Sequence, residues 1–295
     1  MIRKYYRLPL KSALDWNQVL AYLRLRAIPG VEVVAGHSYH RSFGWDRTCG
    51  CLTVAPASRG KSLRLKVVCD KQAHLKGITR RVRRIFDLDA PVRTIKTHLS
   101  RDPLLAVALE QTKQPRVPGG WCGFELTVRT IIGQQVAVKS ATTVAGRLVQ
   151  KFGRPLPAAL ADEIGGLTHL FPGPEELAGA PVTQMGMPQA RANTIRSLAG
   201  QVRAKKIRLG PGPDPDGAIA LLKQIKGIGD WTAQYVAMRV LRQPDAFPAA
   251  DLGLLKAASG GGQRLTPAQL RARAERWRPF RAYAAVLLWT AASGG

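Results

Sequence analysis

QIKGIGDWTAQYVAMRVLRQPDAFPAAD, residues 224–251, decides how this chain is read. The stretch opens on Gly227-Ile228-Gly229, two glycines around one aliphatic residue, set between two segments with helical apolar spacing. Two helices joined by such a hairpin hold a phosphate well. Without Cβ atoms the backbone approaches the anion, and the second helix aims its free N–H groups and positive dipole end at it. An apolar helix and a Pro-marked turn then deliver a single carboxylate, Asp251. A carboxylate just beyond a phosphate grip points to chemistry on a nucleic acid as well as binding. A tight helix–helix turn uses the same glycines, so the rest of the chain must weigh in.

The bulk properties favour the phosphate reading. With 45 Lys+Arg against 19 Asp+Glu the chain carries a formal charge of +26. Self-repulsion of that size disfavours compactness, and a polyanionic partner is its natural counterweight. A length of 295 residues, 45% of them hydrophobic, suits one large or two modest globular domains. Cys49-x-Cys51 has no second close pair to complete a zinc site, and with Cys69 and Cys122 it reads as a set of reduced, structural thiols. The start, Met1 to Arg7, lacks the apolar core of a signal peptide, and the longest apolar run, Tyr283 to Ala292, is too short to span a bilayer. The expectation is a cytoplasmic, nucleoid-associated monomer with no membrane partner.

Outward from the opening stretch, two regimes follow. Residues 1–90 look mixed. Trp16, Val19, Leu20, Leu23 and Ala27 share a helical face after Asp15 as N-cap, and Pro29-Gly30 ends the run. Leu63, Leu65 and Val67 alternate with Arg64, Lys66 and Val68 as in a half-buried antiparallel strand. Lys76 to Phe86 reads as a helix with Ile78, Val82 and Ile85 inward and Arg80, Arg81, Arg83 and Arg84 on a solvated face. Residues 91–295 read almost entirely as helices, among them 124–132, 140–152 with Gly153 as C-cap, 218–225 and 281–292. Thr266-Pro267-Ala268-Gln269 makes a capping box, and Gly260 to Gly262 a loop. Asp251 after a loop is itself an N-cap candidate, where a helix N-terminus favours negative charge. Asp245, the nearest rival carboxylate, lies beside Pro244 in an exposed turn.

These residues carry a resemblance. Gly227-Ile228-Gly229-Asp230-Trp231-Thr232-Ala233 followed by Asp251 resembles the signature of the helix-hairpin-helix DNA glycosylase superfamily. Trp231 and Tyr235 resemble its alkylpurine branch, the 3-methyladenine DNA glycosylase II (AlkA type) enzymes. Trp121 to Glu125 leading into Ile131-Ile132-Gly133-Gln134-Gln135-Val136 is similar to a second family signature. Phe86-Asp87-Leu88, Met185-Gly186-Met187-Pro188 with Arg191-Ala192, and Trp277-Arg278-Pro279 to Trp289 add to it, so the likeness covers nearly the whole chain.

The resemblance implies an α+β architecture. A small N-terminal antiparallel α/β domain (1–90) precedes a two-lobed all-helical glycosylase domain (91–295), with the helix-hairpin-helix at about 218–243. It makes Asp251 the catalytic carboxylate. Gly227, Ile228, Gly229 and Thr232 become DNA-binding residues of the hairpin, and Gln135 a wedge that fills the gap left by an extruded base. Trp231, Tyr235, Trp289 and Tyr22 become the aromatic lining of the base pocket. Trp231 stands where lyase-competent relatives carry a lysine, so no Schiff base forms and a monofunctional hydrolase is implied. Thr290 departs from an aromatic that some relatives place there. No cofactor is implied beyond a structural monovalent cation held by hairpin carbonyls near Ile225 and Ile228. The expected partner is duplex DNA with alkylated purines of the 3-methyladenine or 7-methylguanine type. Two other readings stay open: a non-catalytic lesion-binding protein that uses the hairpin alone, and a glycosylase for deaminated or oxidised purines.

Overall fold

The structure is a computed structural model, and it describes residues 1–45, 48–57, 60–71, 75–112, 114–259 and 262–293. Five strands form one antiparallel sheet in the order β1-β5-β4-β3-β2. They are β1 (Ile2–Pro9), β2 (Glu32–Ala35), β3 (Ser38–Trp45), β4 (Thr48–Pro56) and β5 (Ser62–Cys69). Helices α1 (Trp16–Arg24) and α2 (Leu75–Ile85) share a core with one face of this sheet. Asp15 caps α1, accepting from Gln18 N at 3.0 Å, and the helix ends well before Pro29. Leu63, Leu65 and Val67 point into that core together with Ile78, Val82 and Ile85 of α2. Each buried aliphatic of this kind contributes about 1.5–3 kcal/mol.

Two expectations need correction here. The strand Leu63 to Val68 is covered on part of its second face too: Arg64 is exposed there, but Val68 and Cys51 pack under Leu156, Leu160, Leu167 and Leu170, far away in the sequence. Of the α2 arginines only Arg80 is exposed. Arg81 lies over the Trp45 ring at 4.1 Å, and Arg83 pairs with Asp89 at 2.6 Å, so their long stems pack against the fold.

The remaining chain is helical: α3 (Val92–Leu99), α4 (Pro103–Gln111), α5 (Gly123–Ile132), α6 (Val138–Phe152), α7 (Ala158–Ala161), α8 (Pro174–Leu177), α9 (Gln189–Arg203), α10 (Pro215–Lys223), α11 (Asp230–Arg239), α12 (Leu252–Ala258), α13 (Pro267–Ala274) and α14 (Arg281–Ser293). Helix α5 packs with α6, α9 and α11, and α10 with α11, while α14 packs with α4 and α12. The lobes share one continuous core, which Ile28 and Val31 enter from the N-terminal region. The capping box at Thr266 forms, with Gln269 N donating to Thr266 Oγ1 at 3.2 Å. Gly153 caps α6 with extended backbone, and Gly260 and Gly261 lie outside the described residues. Asp245 is not the exposed carboxylate expected, since it pairs with Arg281 at 2.8 Å and with Arg278. Among the described residues no helix is long and apolar enough to cross a membrane.

A buried charge cluster joins the sheet to the helical part. Arg41 of β3 donates to Glu125 of α5 at 2.7 Å, and Arg129 of α5 donates to Glu32 of β2 at 2.9 Å. Tyr39 Oη donates to Glu32 at 2.6 Å. Burial pushes the Glu32 carboxyl up, but Arg129 and Arg41 outweigh it and the net shift is downward. The cluster fixes α5, and with it the loop after α5 that borders the hairpin.

Candidate active site

The hairpin is built from opposite uses of its two glycines. Gly227 sits at φ +94°, and a Cβ there would meet Thr194 Oγ1 at 2.1 Å. Gly229 has extended backbone as the N-cap of α11 and open space where a Cβ would go. Conformation demands the first glycine, and an approaching partner has room at the second. Ile225 and Ile228 are buried and anchor the turn, which Ile228 N closes onto Ile225 O at 2.9 Å.

Two groups that the sequence reading passed over hold the hairpin from behind. Thr194 of α9 donates to Lys226 O at 2.8 Å. Gln134 Nε2 donates to Gly227 O and to Thr232 Oγ1, each at 2.9 Å. Arg191 in turn donates to Gln134 O at 2.6 Å. The Gln134-Gln135 pair sat inside a stretch already singled out, yet nothing local distinguished the strut from its neighbour. Gln135 itself is exposed at φ +56°, an uncommon conformation for a non-glycine residue that lifts its side chain off the end of α5. Ile228 and Thr232 turn their side chains into the core, Thr232 to receive Gln134, so any contact they make with a partner is through the backbone. Gly227, Gly229, Lys226 and Asp230 form the exposed surface. Replacing Gly227 by Ala should cost about 1–3 kcal/mol in a urea melt, because the positive φ and the Thr194 contact act together. Gly229→Ala loses only part of an N-cap preference and should unfold within about 1 kcal/mol of the parent.

Asp251 caps α12, its Oδ1 accepting from Leu254 N at 2.9 Å. Two indoles complete its surroundings. Trp289 Nε1 donates to Oδ1 at 2.8 Å and Trp231 Nε1 donates to Oδ2 at 2.9 Å. Gly253 makes room for this, since a Cβ there would stand 3.3 Å from Trp289. The tryptophans come from α11 and α14, so the carboxylate is clasped between two helices far apart in sequence. Trp231 stacks on Tyr235 with ring centres 5.4 Å apart and 24° between planes, and Tyr235 meets Trp289 at 5.8 Å. The three rings and the carboxylate thus form one wall.

Tyr22 reaches this wall from α1. A buried cation unforeseen in the sequence joins it: Arg239 donates to Tyr235 Oη at 2.5 Å and to Pro118 O at 2.7 Å. Its guanidinium lies 5.5 Å from the Tyr22 ring centre, and that of Arg26 lies 4.0 Å away. Burial raises the Tyr22 phenol, but Arg239, Arg26 and Arg129 outweigh it, leaving it below the ordinary tyrosine value. The i, i+4, i+8 spacing of Trp231, Tyr235 and Arg239 was the one signal that could have placed Arg239 here. Thr290 donates back to Val286 O at 2.9 Å and brings no ring.

Comparison with known proteins gives the family and the fold of this chain. Residues 5–122 match the family model described as the AlkA N-terminal domain, and residues 128–280 match that of the HhH-GPD superfamily base excision DNA repair protein. A Mycobacterium tuberculosis protein named probable bifunctional transcriptional activator/DNA repair enzyme AlkA is 38% identical over 96% of this chain. The chain spans about half of that relative, 56% of its length. The Escherichia coli DNA-3-methyladenine glycosylase 2 is 31% identical, with 96% of each chain covered. Among solved structures, a 3-methyladenine DNA-glycosylase from Archaeoglobus fulgidus superposes with a TM-score of 0.83, covering 98% of both chains at 22% identity.

Proposed function

Because the chain belongs to the HhH-GPD superfamily of base excision DNA repair proteins, we propose that it is a monofunctional DNA glycosylase. It hydrolyses the N-glycosidic bond of alkylated purines, of the 3-methyladenine and 7-methylguanine type, in duplex DNA. One observation carries this reading: a lone carboxylate, Asp251, held by a helix cap and two indole N–H groups beside a wall of aromatic faces.

The hairpin takes a phosphate at Gly229 and the N-terminus of α11. A target nucleotide leaves the stack at a cost of a few kcal/mol, less where pairing is already damaged. Gln135 fills the gap it leaves. The alkylated base is cationic, and electron-rich ring faces attract it. Arg26 and Arg239 already lie over the tyrosines, so Trp231 and Trp289 present the faces that suit a cation. A positively charged purine needs little acid assistance to depart. As the C1′–N bond breaks, its electron pair neutralises the base, and the sugar becomes oxocarbenium-like. The Asp251 carboxylate stabilises that charge and orients the attacking water, whose oxygen bonds to C1′ as one of its protons passes to the carboxylate and on to solvent. Trp231 offers no amine for a Schiff base, so the product is a free base and an intact abasic strand. A monovalent cation near Ile225 and Ile228 belongs to the same reading. The Ile225, Lys226 and Gly227 carbonyls each accept one protein hydrogen bond and keep a second lone pair for it.

Incubation with methylated DNA and mass identification of the released bases tests the proposal; no release would leave a lesion-binding protein. Defined duplexes carrying hypoxanthine or 8-oxoguanine test the alternative substrates in the same assay. Duplex affinity should also fall log-linearly with salt, and Lys226→Ala, removing an exposed cation beside the hairpin, should reduce the slope by about 1. A flat salt response would count against DNA as the partner.

A further inference from the structure

Behind the aromatic wall, on the other side of Arg239, lies a cavity of about 120 Å³. It opens between the end of α2, the 119–123 loop and the end of α11. Arg81, Arg84, Arg239 and Arg242 line it, together with Trp121, and no carboxylate does. Glycines let the loop thread here: a Cβ on Gly119 would meet Arg84 O at 2.7 Å, and one on Gly123 would meet Leu209 O at 2.2 Å.

Two donors at this cavity have no counterpart among the described residues. The Arg84 guanidinium makes no ion pair or hydrogen bond, and its charged neighbours are Arg80, Arg81 and Arg242. Burial and those three cations hold it below the ordinary arginine value. Trp121 is only 4% exposed, and its indole Nε1 is buried without a hydrogen-bond partner. Arg239 spends two of its five N–H donors on a carbonyl and a phenol, neither of which offsets its charge. Arg242 is neutralised by Asp87. Like charges gathered round a hollow, with an idle buried donor in its lining, are costly unless an anion joins them.

We propose that this cavity is an oxyanion site for a single phosphate group, held by the Arg84, Arg239 and Arg242 guanidinium groups and the Trp121 indole N–H. The volume equals that of about four waters, enough for one tetrahedral anion with some hydration and too small for a nucleoside. Guanidinium forks match phosphate oxygens in pairs. The phosphate belongs either to a DNA backbone or to free inorganic phosphate, which present the same oxygens. Because Arg239 also donates to Tyr235, the occupant would sit one side chain behind the aromatic wall.

Melting the full chain in inorganic phosphate against chloride at equal ionic strength tests this. Phosphate at about ten times its dissociation constant should raise the Tm of the parent by about 2–4 °C. Arg84→Gln should melt no lower than the parent in chloride, since it relieves like charges, and should lose the phosphate response. Trp121→Phe should weaken the response. Arg64→Gln, an exposed cation on β5, should keep it in full. A parent that responds no more to phosphate than to chloride overturns the proposal, and so does an undiminished response in Arg84→Gln. Duplex titrations then identify the source. A salt slope reduced by about 1 in Arg84→Gln assigns a backbone phosphate, and an unchanged slope with the phosphate response lost assigns free phosphate.

Discussion

Asp251→Asn is expected to slow release of alkylated purines by at least about a hundredfold while leaving duplex affinity within about twofold. The substitution separates two duties of one side chain. Asn is as good an N-cap as Asp, so its oxygen still accepts from Leu254 N and α12 keeps its start. The negative charge is gone, however, and one amide N–H₂ now faces an indole N–H where an oxygen accepted before. Transition-state stabilisation is therefore lost without unfolding. Single-turnover base release, fluorescence anisotropy with a lesion duplex and a thermal melt together read the three terms. Release at the parental rate would remove Asp251 from the chemistry, and the clasp of two indoles would then be structural. Trp289→Phe, which deletes one donor and keeps the ring, should fall between the two.

The largest stability loss should come from a residue outside the aromatic wall. Glu125→Ala should cost about 3–5 kcal/mol, because it strands the Arg41 guanidinium in the interior. Arg41 is 1% exposed, and its remaining carboxylate, Glu32, stands 3.5 Å away and is shared with Arg129. Urea titration of the full chain measures the loss. The same cluster makes stability depend on pH in one direction. The folded state holds Glu32 below the ordinary glutamate value, so it binds fewer protons there than the unfolded chain does. The stability from this pairing is intact above that ordinary value and drains away as the pH falls below it. Glu32→Gln should flatten the acid limb of the profile. A variant of Glu125 that melts with the parent would show that the cluster contributes registry and not stability.

Some parts of this molecule could be read without coordinates because their determinants are local. The N-caps at Asp15 and Asp251 and the capping box at Thr266 each lie within a few residues of the groups they satisfy. So does the conformational demand at Gly227, where a hairpin between two helices needs a positive φ. The α2 arginines were misjudged because helical spacing shows which side is apolar and says nothing of what packs over the polar side. Asp245 was misjudged for the same reason: Arg278 and Arg281 reach it from more than thirty positions away. That the Thr232 hydroxyl receives Gln134, 98 residues distant, was equally invisible in the sequence.

The sequence by itself determined the α+β division, the hairpin, the carboxylate that follows it and the aromatic residues around it. Periodicity, capping chemistry and charge are written in neighbouring residues, and separated motifs in a fixed order carried the family resemblance. Only the tertiary structure decided how those residues meet. It put Trp231 and Trp289 on the two oxygens of Asp251, made Gln134 the strut and Gln135 the exposed tip, and slid Arg239 beneath the tyrosines. These are hydrogen bonds and ring contacts between elements 20 to more than 100 residues apart. Their partners are chosen by which surfaces the folded core brings within 3 Å, and that choice has no local trace in the chain.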